Sequence, residues 1–146
     1  MDKAAFHAAR QALTPAACVF AKALLSGCAP CTLAKRTAMA EREVITCGSA
    51  IAHINCGTLN DLFRERARFA LRLPHRDEPI VHAKAMKLQC GGLRGLQLAL
   101  DASDGDVHAM VQQAMQEGGS LLDLPWDRIV ASIAGWELRR RAPPLP

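Results

Sequence analysis

The sequence predicts an all-α protein, a single-domain bundle of about five to seven helices with cysteines at helix ends and connections. Two observations carry this prediction. Hydrophobic residues make up 50% of the 146 residues, yet aromatics are only 4% and tyrosine is absent, so the apolar supply is Ala and Leu, which favour helix over strand. Helix start and stop residues also recur along the whole chain.

Thr14-Pro15 reads as an N-cap followed by proline at the first helical position, and Gly27 as the stop, which predicts a helix over 15–26. Cys28 and Cys31 fall in the connection. A second helix is predicted from Thr32 to Cys47, ended by Gly48, and a short third from Ser49 to Cys56-Gly57. Thr58, with Asp61 near the capping-box position, opens an Arg-rich helix over Leu59 to Leu73 that Pro74 closes. Pro79 starts a stretch toward Leu100 with a pause at Gly91-Gly92. A helix from Asp106 to Glu117 is stopped by Gly118-Gly119, and Pro125 starts the last, running to about Arg140. The length suits one domain, here 1–141, with 142–146 as a disordered Pro-rich tail.

Met1 to Thr14 lacks the continuous apolar run of a secretory signal, and no segment reaches membrane-spanning length. The expected compartment is therefore the reducing cytoplasm, where clustered cysteines are more often metal ligands or redox catalysts than staples. The net charge of +4 is modest for a nucleic-acid binder, and the Arg139-Arg140-Arg141 run has no stacking aromatics beside it, so nucleic acid is not the expected partner.

The informative pattern is Cys28-x2-Cys31-x15-Cys47-x8-Cys56-x33-Cys90. The two-residue gap lets two sulfurs converge on one metal atom or one cluster edge. Cys47, Cys56 and Cys90 each precede a glycine, which removes a side chain where an inorganic group would press on the backbone. Iron–sulfur clusters commonly take four thiolates, and Cys28, Cys31, Cys47, Cys56 and Cys90 supply five; Cys18, facing Ala21 and Leu25, reads as core filler. Two alternatives stand beside this one. Structural zinc would use Cys28, Cys31, His53 and Cys56, and a thiol–disulfide oxidoreductase would use Cys28 and Cys31, since Cys-Ala-Pro-Cys resembles the Cys-x-Pro-Cys of thioredoxin-like enzymes.

Positions 59, 62, 63, 66, 69, 70 and 73 form one helical stripe, apolar except for Arg66, which needs a partner: Glu41 or Glu43, or a negatively charged cluster. Arg64, Arg68 and Arg72 line an outer face able to dock an acidic protein. His82, Met86 and Cys90 recur every four residues, and Gly92 and Gly95 imply the close approach of a helix or a cofactor. Phosphate loops, nucleophile elbows and His-Glu-x-x-His are missing, so the expectation is a non-enzymatic iron–sulfur protein of electron transfer, redox sensing or cluster handling, with an acidic redox protein as partner.

Overall fold

A computed structural model describes residues 16–75 and 78–137. Helices dominate it, but an antiparallel hairpin stands in the first third of the chain, and this overturns the all-α expectation. The predicted helix over Thr32 to Cys47 is instead β1 (Ala34–Met39) and β2 (Arg42–Cys47), paired from Ala34 opposite Cys47 to Met39 opposite Arg42. Between them Ala40 and Glu41 both have positive φ, 44° and 70°, as a two-residue hairpin turn demands. The β-branched run Val44-Ile45-Thr46 suits a strand, and alternation turns Ile45 into the core with Cys47 on the same face.

Ahead of the hairpin the chain is extended and zipped onto β2. Ala17 bridges Thr46, the Cys18 N–H donates to the Ile45 carbonyl at 2.9 Å, and the Cys47 N–H donates to the Ala16 carbonyl at 2.9 Å. Only then does α1 (Ala21–Leu25) begin, shorter than predicted; Gly27, at φ 81°, follows its end in the left-handed region.

The two helices expected on either side of Gly57 are one. Helix α2 (Ala50–Arg66) is capped by the Ser49 hydroxyl, which accepts from the Ala52 N–H at 3.2 Å, and it runs through Gly57 and Thr58 without a break. Its inward stripe is Ala52, Cys56, Leu59 and Phe63. At Ala67 the backbone departs from helix, so the stripe predicted to Leu73 loses phase. The short α3 (Arg68–Leu71) buries Leu71 and leaves Phe69 90% exposed.

Helix α4 (His82–Met86) passes into a π-helical turn (Lys87–Gly91) and then into α5 (Gly92–Leu100). The π turn falls where a pause is predicted, and its extra residue takes Cys90 out of the His82-Met86 register. His82 is exposed, with Nδ1 2.8 Å from Lys22 Nζ, while Met86 is core.

Helix α6 (Val107–Gly118) is capped by Asp106 and followed by Gly119 at φ 73°. After a 3-10 turn (Leu121–Asp123), α7 (Trp126–Gly135) buries Trp126, Ile129 and Ile133. Gly91 and Gly95 seat this helix: a Cβ on Gly91 would lie 2.7 Å from Ile133 Cα, and one on Gly95 would lie 3.0 Å from Ile129 Cα. A neighbouring helix therefore accounts for Gly95, whereas a Cβ on Gly92 would lie 2.5 Å from the Phe63 ring, so a core side chain accounts for that one. Phe20, Phe63 and Trp126 join the two halves of the core, with ring centroids 6.0 Å apart in each step. The predictions for Met1 to Thr14, for the end of the last helix beyond 137 and for the tail lie outside the described residues.

Candidate functional site

The six cysteines, all free, divide into two groups, and the division differs from the one expected. Cys18, Cys31, Cys47 and Cys56 line one cavity of about 20 Å³, together with Phe20, Leu24 and other apolar side chains, His53 and His108. Cys28 and Cys90 lie elsewhere, joined through Ser26, whose hydroxyl is 3.1 Å from the Cys28 sulfur and 3.8 Å from that of Cys90.

Each sulfur of the first group comes from a different segment. Cys18 precedes α1 and is set beside β2 by the extended pairing above, which puts it in the same cavity wall as Cys47 while it also packs against the core. Cys47 ends β2, and its thiol donates to the Ser49 carbonyl at 3.2 Å. Cys56 lies two turns into α2 on the inward stripe. Cys31 sits in the loop before β1, which is tied down by a residue whose only signal in the sequence is that of a helix start.

That residue is Asp106, buried to 4% exposure. Its carboxylate accepts from the Thr32 N–H at 2.6 Å, from the Thr32 hydroxyl at 3.3 Å and from the Ala109 N–H at 3.0 Å. The Val107 N–H donates to the Pro30 carbonyl at 2.9 Å. One buried carboxylate thus caps α6 and clamps the backbone next to Cys31, and the three donors offset the desolvation of its charge.

Burial, chiefly, pushes the Cys56 thiol up to about 12, and the neighbouring thiols of Cys31, Cys18 and Cys47 push it further the same way. Cys18 is raised for the same first reason, with a hydrogen bond from the Phe20 backbone as a partial offset and Cys31 and Cys47 adding to the rise. Cys18 and Cys56 therefore feel the other thiols of the group as prospective like charges. Among the described residues, no three or more His, Cys, Asp or Glu side chains are gathered tightly enough to hold a single metal ion.

An open cleft of about 350 Å³ adjoins this cavity and shares Leu33, Ala52, Cys56 and His108 with it. His53 presents Nε2 to the Ala17 carbonyl at 3.0 Å, which ties α2 to the segment carrying Cys18.

The structure does not bring Cys28 into the zinc set proposed with Cys31, His53 and Cys56, nor into a dithiol with Cys31, because the loop carries the two sulfurs into different groups. Arg66 is exposed and lies over the Trp126 ring, 5.7 Å from its centroid, and lines neither the cavity nor the cleft. Its expected partner Glu43 pairs instead with Arg36 at 3.2 Å. Arg64 donates to the carbonyls of His75 and Glu78 at 3.0 and 2.7 Å, so it braces a turn. No helix among the described residues is long and apolar enough to cross a membrane. Comparison with protein-family models, with curated proteins and with solved structures finds no significant match to this chain.

Proposed function

We propose that this protein binds an iron–sulfur cluster through Cys18, Cys31, Cys47 and Cys56 and serves in electron transfer, redox sensing or cluster handling. The observation that carries the reading is the convergence of four thiols, from four separate chain segments, on one apolar cavity. The Cys18 and Cys56 thiols hold their protons tightly because of burial and of the thiols beside them. A cationic centre among them reverses that preference and holds all four as thiolates.

A cluster and one zinc ion ask different things of four sulfurs that come from separate segments. A single zinc draws four sulfurs to about 2.3 Å from one point, whereas a cluster bonds its thiolates to separate irons and so spreads them. The apolar lining limits solvent access, which sets the potential of such a centre. A cavity of about 20 Å³ holds one water-sized body, so a cluster requires the walls to move outward, and the side shared with the cleft has the room. The same cleft, with Cys56 in its wall, is the face at which a redox partner protein approaches. A reducing compartment such as the cytoplasm keeps the four thiols available.

Anaerobic purification, or reconstitution with ferrous iron and sulfide, tests the reading. Brown protein with visible absorption and stoichiometric iron and acid-labile sulfide is expected. Colourless protein that retains one zinc and excludes iron would overturn it.

A further inference from the structure

Cys28 and Cys90 sit outside the cavity, and the fold holds them together by features of its own. Gly27, in the left-handed region, turns the chain back over the end of α1, and the Cys28 N–H donates to the Ala23 carbonyl at 2.9 Å. Opposite, the π turn aims two successive side chains at the same helix. Gln89 Oε1 accepts from the Ala23 N–H at 3.1 Å, and the next residue presents its sulfur to Ser26. Both sulfurs thus flank the one Ser26 hydroxyl, Cys28 at 3.1 Å and Cys90 at 3.8 Å. Cys28 is exposed, whereas Cys90 is 2% exposed, so only one of the pair can meet a reagent from solution.

We propose that Cys28 and Cys90 form a dithiol that exchanges with low-molecular-weight disulfides, with Cys28 as the attacking sulfur and Cys90 as the resolving one. In the first step the Cys28 thiolate attacks one sulfur of glutathione disulfide, the reagent's S–S bond breaks, and one glutathione leaves as thiolate. In the second, Cys90 gives up its proton and its sulfur attacks the Cys28 sulfur of the mixed disulfide. The second glutathione leaves, and a Cys28–Cys90 bond remains. Two protein thiols are oxidised and one glutathione disulfide is reduced to two glutathiones. The Ser26 hydroxyl has the Ala23 carbonyl at 3.0 Å and the Cys28 sulfur at 3.1 Å as acceptors for its one proton, and turning that proton to the sulfur stabilises it as it carries negative charge. The bond would staple the loop after α1 to the π turn, and it does not depend on what the other four cysteines bind.

The test uses the full chain, incubated with glutathione disulfide, quenched with an alkylating agent and mapped by peptide mass spectrometry. The expected product is a Cys28–Cys90 linked peptide, reversed by dithiothreitol, with two glutathiones released per chain and the other four cysteines alkylated. C90S is expected to stop at one glutathione adduct on Cys28, and C28S to leave Cys90 unreacted. A wild-type map in which Cys28 joins Cys31, in which the adduct on Cys28 persists, or in which both thiols stay free overturns the proposal. The wild-type map decides by itself even where a variant fails to fold.

Discussion

Cys56 and Cys90 both have thiols pushed up to about 12, and burial is the largest cause for each, yet the neighbours that add to it differ. Around Cys56 they are three other thiols lining an apolar cavity. For Cys90, hydrogen bonding with Cys28 raises the thiol while hydrogen bonding with the Ser26 hydroxyl partly offsets this. Four converging thiols invite a cation; two with a hydroxyl between them invite exchange with each other. On the two proposals, the same element is directed to different chemistries by the number and kind of its neighbours.

Serine replacements break this comparison most sharply. C31S, C47S or C56S is expected to lose essentially all iron and sulfide, whereas C28S and C90S retain them, as read by metal analysis of folded protein. Alkaline pH gives the next largest effect, on metal-free protein. Both thiols hold their protons in the folded chain but release them near 9.0 when unfolded, so stability falls as pH rises from about 9 to about 12. Thermal melts on either side of pH 9.0 check the sign, and metal loading should remove the part due to Cys56.

Gly91→Ala strikes the Cys90 side alone. The new Cβ would meet Ile133 Cα at 2.7 Å and the Ser132 carbonyl at 3.0 Å, backbone that cannot step aside, so denaturant titration should show a loss of about 1–3 kcal/mol. Asp106→Ala strikes the other side. It removes a cap and leaves the Thr32 N–H without its acceptor, at about 1–2 kcal/mol, and it should weaken iron retention under chelator while leaving Cys28 chemistry intact. Arg66→Ala should cost least, about 0.5–1 kcal/mol from its stacking on Trp126, with unchanged iron content.

How far these regions were legible in the sequence follows from which residues carry local rules. Ser49, Asp106, Gly119 and Pro125 mark helix ends through their own geometry, and the structure keeps those ends. The hairpin was hidden because its turn is Ala40-Glu41, where Asn-Gly would have announced positive φ, and because Ala34, Lys35 and Arg36 are good helix formers. Gly57 looked like a stop, yet its helix is held by the packing of Cys56 and Leu59 beneath it, which overrides the roughly 1 kcal/mol that glycine costs. The grouping of the cysteines was the least readable. Cys18 joins Cys47 only through pairing with a strand that was taken for helix, and Cys28 parts from Cys31 because Gly27 and the Asp106 clamp send the two ends of a four-residue motif in different directions. The signal that could have exposed the strand was Val44-Ile45-Thr46, three β-branched residues in a row.

The buttress of the Cys31 loop has a bearing on biosynthesis. Every thiol of the cavity lies between Cys18 and Cys56, while the carboxylate that fixes the loop belongs to Asp106, much later in the chain. Synthesis proceeds from the N-terminus, so all four thiols emerge while the loop beside Cys31 still lacks its anchor. On the proposed function, an inorganic centre captured during translation would enter a yielding vestibule, and one released from the finished protein would leave a braced one. Loading and loss would then follow different routes, and refolded and nascent protein would fill at different rates.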